Sequence, residues 1–418
     1  MSIGYACLTV GVSGTKLRSC TLKNATPDVL STLIRSNLAA LGNQLDYNIQ
    51  NGIKLFRVSS DIIPFGSHPV NDLRWWDEFS HQLEGIGNKA LVNGIRLSMH
   101  PGQYTVLNSP NEAVVERAVE DLKYHGRFLD TLGLGKEHKI VLHIGGLYGN
   151  KTAALQRFTE NFRCLDDDIR HRLVIENDDR YYTISDVLSI GENESIPVVF
   201  DNLHHQVNPD NTYSERDWMA ACANTWKRAD GPPKLHYSQQ DTHKRPGSHS
   251  VTLDVEDFIK FYKRIPQKNV DIMVEVKDKN LSALKCINAI ASPKIQRLEK
   301  EWERYKYLVL EHCPAVYQEI RQLLKNKSSY PVVEFYRLID GARLSPVEPG
   351  NAVNAAQHLW GHYYKDSTDE NTKLRFAKHI DKISKGGSTI PLKRLLWKLA
   401  EADKQKHLLD SLYFMELF

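Results

Sequence analysis

Residues 96–108 read RLSMHPGQYTVLN. A short apolar run of strand-like character ends in His100, and a Pro-Gly turn follows at once with Gln103 and Tyr104 beyond it. A histidine at the end of one strand is most often a cap or an ion-pair partner. Its meaning depends on whether other strands of the chain end in the same way.

Seven more runs of the same kind occur: IGYACLTV (3–10), IKLFRVSS (53–60), KIVLHIGG (139–146), RLVIEND (172–178), PVVFDNLHH (197–205), KLHYSQQ (234–240) and DIMVEVK (271–277). Helical segments separate them. In PDVLSTLIRSNLAALGNQLDYNIQ the apolar positions Leu30, Leu33, Ile34, Leu38, Leu41 and Leu45 recur close to every 3.6 residues, behind Thr26 as N-cap and Pro27 at the first helical position. Eight strands alternating with helices predict parallel pairing through βαβ units. An open doubly wound sheet would also alternate, but the first strand-to-helix turn holds only Gly11-Val-Ser-Gly14 and no GxGxxG. The expected fold is therefore α/β, an eight-stranded (β/α) barrel over residues 1–290. After Ala291-Ser292-Pro293 the alternation stops, and amphipathic segments such as IQRLEKEWERYKYLVLEH (295–312) and a long one over 388–418 predict an appended, mostly helical domain over 291–418.

Function in such a barrel collects at the C-terminal ends of the strands. Those positions hold Tyr5, His100, His143, Glu176, Asp201 with His204, His236 and Glu275, and His249 lies in the loop after the seventh strand. Six of the eight strands thus end in a side chain able to ligate a divalent cation, which chance placement explains poorly. Imidazoles mixed with carboxylates suit zinc, manganese or iron. Four or more histidines with three carboxylates exceed what one ion needs, so a cluster is expected. Two ions about 3.5–4 Å apart and bridged by a carboxylate can clamp both oxygens of a phosphodiester displacement.

The segments SMHPGQY, LHIGGLYGNK, IENDDR, FDNLHH, KLHYSQQ, KRPGSH and MVEVK, in this order, resemble the UV damage endonuclease family. The resemblance covers residues 3–277 and stops short of the C-terminal segment. It implies a DNA repair enzyme that nicks damaged duplex 5′ to a pyrimidine dimer, leaving a 3′-hydroxyl and a 5′-phosphate. It implies up to three divalent ions, manganese foremost with zinc or magnesium as alternatives. His100, His143 and Glu176 would hold one; Glu176 would bridge to a second shared with Asp201, His236 and Glu275; His204 and His249 would supply a third. Glu176 and Lys234 would be catalytic, since the lysine at the Lys234 position is carboxylated in relatives. Gln103 and Tyr104 would push into the duplex at the lesion, and Tyr5 would lie beside the extruded bases. Thr9 departs from the family, which commonly has another polar residue there, so that lesion contact is weakened.

Other readings follow from the same residues. A sugar isomerase or epimerase would use the ions to polarise a carbonyl and would want an enclosed pocket. An abasic-site endonuclease shares the chemistry, and a non-catalytic protein would make the tail the working part. Asn177 and Asp178 are expected to orient Glu176; Lys244 and Arg245, beside Pro246-Gly247, read first as a solvated loop and second as phosphate contacts. The formal net charge is +3 over 418 residues, so global basicity announces no nucleic acid. Charge is uneven, however: residues 291–418 carry 21 Lys+Arg against 16 Asp+Glu. Scattered cysteines without a CxxC pair argue against disulfides or a zinc ribbon. With no signal-peptide pattern and no long apolar run, the expectation is a cytoplasmic monomer without a membrane span.

Overall fold

The computed structural model describes residues 1–365 and 368–418. Each of the eight segments read as a strand forms one: β1 (Ile3–Ala6), β2 (Leu55–Arg57), β3 (Arg96–Ser98), β4 (Ile140–His143), β5 (Leu173–Glu176), β6 (Val198–Asp201), β7 (Lys234–Tyr237) and β8 (Asp271–Val274). They pair in parallel in the order β3-β2-β1-β8-β7-β6-β5-β4. A bridge between Met99 and Ile140 joins the two outermost strands and closes the ring. Every strand residue but His143 is buried. Parallel strands covered on both faces must be apolar without alternation, which is why they read as runs such as IVL and VVF. Packing is close enough to demand glycine at Gly4, where a methyl group would sit 1.8 Å from the Leu55 carbonyl oxygen.

Helices Pro27–Gln50, Ser80–Val92, Glu112–Thr131, Lys151–Arg163, Ile184–Glu194, Glu215–Asn224 and Val255–Arg264 connect successive strands, and Asn280–Ile290 follows β8. The first begins as its sequence predicts: the Thr26 hydroxyl accepts from Val29 N–H, with Pro27 inside the first turn. Its Leu30, Ile34, Leu38, Leu41 and Leu45 are fully buried, each contributing roughly 1.5–3 kcal/mol.

Two compact units make up the chain. One comprises Met1–Thr9, Gly14–Leu253 and Lys260–Leu284; the other comprises Val10–Ser13, Asp254–Ile259 and Lys285–Phe418. The second unit is helical: Ile295–His312, Pro314–Leu323, Val332–Leu344, Pro349–Tyr363, Glu370–Ser384 and Ile390–Ala402. Tyr305, Phe335, Tyr336, Leu359, Leu396 and Phe414 are among its buried residues. The single helix expected over 388–418 is broken. Lys404 takes a left-handed backbone (φ 52°), Gln405 N–H bonds back to Ala400 O, and the chain continues as two short turns to Leu417. Among the described residues, no helix is long and apolar enough to cross a membrane.

Candidate metal centre

The barrel brings the strand-end side chains together. His143 and Glu176 are register partners across β4 and β5, and Asp201 and His236 are partners across β6 and β7. In parallel strands such partners point to the same face, so both pairs converge on the mouth. His100 Nε2 lies 2.8 Å from Glu176 Oε1, and His143 Nε2 lies 3.0 Å from the same oxygen. On the other side, His236 Nδ1 is 2.5 Å from Glu176 Oε2, 3.3 Å from Glu275 Oε1 and 4.0 Å from Asp201 Oδ2. Two groups with metal-ligand geometry result, His100–His143–Glu176 and Glu176–Asp201–His236, and Glu176 belongs to both.

Whether these residues fit a cation can be judged from their unused lone pairs. Glu176 Oε2, Asp201 Oδ2 and His236 Nδ1 are buried and none makes a well-directed hydrogen bond; Glu176 Oε2 and His236 Nδ1 meet each other only as an ion-pair contact at 2.5 Å. Each such atom costs about 1–3 kcal/mol, and more when charged, so proteins rarely leave even one. These three face one another in a single group, which is the arrangement a shared cation would satisfy. The local charge balance agrees. Burial opposes the Glu176 charge, yet the imidazoles of His236 and His143 hold its carboxyl well below the usual range. Burial, with Glu275 and Glu176 nearby, raises the Asp201 carboxyl despite the opposing pull of His204. Burial pulls His143 down to about 4. It would lower His204 as well, but Asp201 and Glu176 lift that group to about 9.

His204 and His249 stand somewhat apart and join neither group. The Nδ1 of His204 bonds to Asn177 O at 2.8 Å, and that of His249 bonds to Glu275 O. A backbone carbonyl thereby fixes each tautomer and leaves Nε2 as the ligating atom. Asn177 exchanges hydrogen bonds with the Asp201 backbone, its Oδ1 accepting at 2.9 Å and its Nδ2 donating at 3.0 Å. It therefore orients Asp201 and His204, where Glu176 had been the expected beneficiary. Asp178 accepts from the N–H groups of Arg180 and Tyr181 and shapes its own loop.

Arg57 is a participant that the search for ligand types passed over. It ends β2, it is buried, and its guanidinium meets Glu275 and lies 2.9 Å from His236 Nε2. The signal for it was a charge set among the apolar residues Leu55, Phe56 and Val58 of the run IKLFRVSS, since a buried cation needs a buried partner.

Above the carboxylates opens a cavity of about 1350 Å³, whose lining includes His143, His204, His249, Gln103, Tyr104 and Arg245. Gln103 and Tyr104 occupy a tight turn closed by Thr105 N–H to Gly102 O at 2.9 Å. The Tyr104 ring lies so close over Gly102 that a Cβ there would sit 2.4 Å from it. Buried Asp121 anchors the turn by accepting from Thr105 Oγ1 at 2.6 Å and from Ser67 Oγ at 2.7 Å. Tyr104 remains 72% exposed, so the turn is firmly held while its side chain is free. Lys244 pairs loosely with Asp241 and does not line the cavity, whereas Arg245 does, together with Arg117 and Arg180.

Tyr5 corrects an expectation. It is fully buried, its hydroxyl is satisfied by Thr9 Oγ1 at 2.7 Å and Asn48 Oδ1 at 2.9 Å, and it does not line the cavity. Lys234 is likewise buried; its Nζ has no hydrogen-bond partner.

Comparison with known proteins places this geometry. Residues 1–306 match the family described as UV-endonuclease UvdE, and residues 306–416 match a second family described as a protein of unknown function (DUF1722). A UV DNA damage endonuclease of Clostridium perfringens (strain 13) is 39% identical over 410 residues, 97% of this chain and 98% of that one. Another, from Bacillus cereus (strain G9842), is 35% identical over 273 residues, covering 65% and 86% respectively. The solved structure of SacUVDE superposes with a TM-score of 0.66 at 41% identity, over 69% of this chain and 98% of its own. Matched through its barrel by that family and along nearly its whole length by a relative at 39% identity, the chain belongs to the UV-endonuclease family.

Proposed function

We propose that the protein is a DNA repair endonuclease that cuts the phosphodiester 5′ to an ultraviolet photolesion and leaves a 3′-hydroxyl and a 5′-phosphate. The observation that carries the reading is the convergence of buried Glu176, Asp201 and His236, whose facing atoms lack well-directed hydrogen bonds, at the strand ends, below a cavity rimmed by the anchored Gln103–Tyr104 turn. His100, His143 and Glu176 would hold one divalent ion. Glu176, Asp201, His236 and Glu275 would hold a second, and His204 with His249 a third. Manganese is the leading identity, with zinc or magnesium as alternatives. Bound divalent cations supply Lewis acidity toward the scissile phosphate and its leaving oxygen.

The chain's own residues supply the rest. Glu176 turns one oxygen to each ligand group and so fixes their spacing. Asn177 holds Asp201 and His204, and Arg57 offsets the negative charge of Glu275. Gln103 and Tyr104 fill the gap left when damaged bases leave the stack, offsetting part of an unstacking cost of a few kcal/mol. Lys234, once carboxylated, would add an acidic group on the same inward face of β7 as His236. All proposed ligands come from one chain, so the reading needs only a monomer, acting on damaged duplex in the cytoplasm. Residues 1–290 would carry all of this chemistry.

A sugar isomerase would need its substrate enclosed and would have no use for an exposed Tyr104. The test is nicking of irradiated, abasic and intact plasmid, each with and without chelator. Cutting of irradiated plasmid alone, abolished by chelator, is expected. Cutting confined to abasic plasmid would transfer the activity to that class, and no chelator-sensitive cutting would overturn the reading.

A further inference from the structure

The second unit's positive charge is concentrated in one place. Residues 371–400 contain eight Lys+Arg and a single acid, Asp381, while the rest of 291–418 carries 13 Lys+Arg against 15 Asp+Glu. An ordinary solvated surface interleaves the two signs; this stretch separates them. It forms helix Glu370–Ser384, the loop 385–389 and helix Ile390–Ala402.

Packing fixes which way the first of these helices faces. Phe376 stacks on Trp360 with ring centroids 4.1 Å apart, and Phe376 and Ile383 are its buried residues. On the opposite side Arg375, Lys378, Lys382 and Lys385 follow at i, i+3, i+7 and i+10, all exposed. Helical geometry gathers that spacing into one stripe. Lys385 is partly neutralised by Asp381 at 2.8 Å. Among the described residues, Arg375, Lys378 and Lys382 make no ion pair with a carboxylate. Their field is felt nearby: burial first, then the charges of Lys382, Arg375 and Lys378, depress the His379 imidazole. Arg394 and Lys398 are exposed on the following helix, whereas Lys393 is buried against Glu311 at 2.7 Å and serves the core.

Unneutralised cations on one face repel one another, an arrangement that stands more easily when an outside anion compensates it. From Arg375 to Lys385 the stripe runs about 15 Å at 1.5 Å per residue. Phosphates of one duplex strand recur about every 3.4 Å along the axis, so the stripe matches roughly four of them. We propose that the Arg375–Lys378–Lys382–Lys385 stripe is a second nucleic-acid contact of this protein, binding the phosphate backbone of duplex DNA without regard to sequence or damage. DNA is favoured over other polyanions because the same chain carries the endonuclease barrel. The contact is independent of lesion recognition and gives the segment whose family model is described as a protein of unknown function a stated partner.

The test is the salt dependence of binding by the full-length protein to an undamaged duplex. Arg375→Gln, Lys378→Gln and Lys382→Gln are combined in one variant. A control carries Lys300→Gln, Arg321→Gln and Lys325→Gln, which removes the same charge from exposed positions outside the stretch. Each lost phosphate contact lowers the magnitude of the log-affinity versus log-salt slope by about 0.9, so the stripe variant should lose up to about 2.7 and the control little. Lys378→Gln alone should lose about 0.9. Both triple variants should still nick irradiated plasmid at low salt, which separates failure of this proposal from failure of the barrel reading. A stripe variant with the parental slope, or one whose loss equals the control's, overturns the contact. Loss of binding to anionic vesicles with an unchanged DNA slope would also overturn it, and would assign the stripe to a lipid surface.

Discussion

The two ends of the barrel both bury charge, and they do so in opposite ways. At the strand starts, Arg96 pairs with Asp271 at 3.0 Å and donates to Glu137 O, Pro232 O and Asp230 O. Arg172 meets Asp130 and the carbonyls of Leu134, Gly135 and His138, and Lys139 meets Asp230 and His171 O. These cations have protein partners in several directions. At the strand ends, Glu176, Asp201 and His236 are as deeply buried, yet each keeps an atom without a well-directed hydrogen bond. A saturated buried charge holds the scaffold together; an unsaturated cluster leaves room for something the chain does not contain. Barrels of this type generally put stability at the first end and chemistry at the second.

The largest break in that comparison should come from Glu176→Gln. It keeps the size and removes the one carboxylate shared by both ligand groups. Nicking of irradiated plasmid should fall by about 10³-fold or more, with loss of bound metal by elemental analysis and little change in the unfolding midpoint of metal-stripped protein. Near-parental nicking would mean that the cluster is not the reactive centre. The opposite pattern is expected from Arg96→Met, which leaves the Asp271 carboxylate buried without its cation. Breaking one side of a buried pair costs about 3–5 kcal/mol, to be read from denaturant unfolding, while nicking per folded molecule persists. If Arg96→Met lost activity without losing stability, the assignment of the two ends would be reversed.

Most of the saturated and unsaturated ends was legible in the sequence, for one physical reason. Strands covered on both faces show as uniform apolar runs, so a ligating residue at the end of a run stands out, and all eight strands and the convergence of six ligand-bearing ends followed. Sequence position did not reveal on which face a strand-end residue lies. Ala6 is in register with Arg57, which points inward to His236, while Tyr5 is in register with Phe56 and Val274. Adjacent strand residues alternate faces, so Tyr5 turns outward to the helix layer, where its ring meets Phe56 edge-on at 5.1 Å and its hydroxyl meets Asn48. One residue of parity separates a core tyrosine from a cavity tyrosine. Arg57 was missed for a different reason: guanidinium is not a metal ligand, and its role shows only once β2 and β8 are placed near each other. The turn at 102–105 was legible as a turn, but its anchor, Asp121, lies on a helix whose own pattern reads as amphipathic.

Recognition is a property of the rim and separable from the floor. Gln103→Ala and Tyr104→Ala should each weaken binding to irradiated duplex by about 1–3 kcal/mol with bound metal unchanged, since neither belongs to a ligand group. Fluorescence anisotropy with irradiated and intact duplex measures this directly. Equal loss on both duplexes would reduce the pair to a general DNA contact, and no loss on either would remove it from recognition.

Lys234 is the exception through which the comparison can be sharpened most finely, with the smallest expected effect. It begins β7, at the saturated end, yet its buried Nζ has no partner. Burial, then the charges of Arg96 and Arg57, hold its amine well below the usual lysine range, with Asp271 the acid that opposes them. An unmodified lysine there is a poor choice: a buried amine whose charge its surroundings oppose, hydrogen-bonded to nothing. A carbamate formed with carbon dioxide would invert the sign, giving Arg96 and Arg57 an anion and turning an acidic group toward the interior on the face it shares with His236. Native mass spectrometry should then find a carbon dioxide adduct that acid removes and that Lys234→Met lacks. The same substitution should weaken metal binding about tenfold, the lower range for groups that support ligands without being one. If the lysine is unmodified, Lys234→Met instead removes a stranded amine from an apolar strand, and the variant should be more stable than the parent with full nicking. The two outcomes differ, weakened metal binding in one and a more stable, fully active protein in the other, so a single variant decides whether this buried nitrogen belongs with the scaffold or with the site.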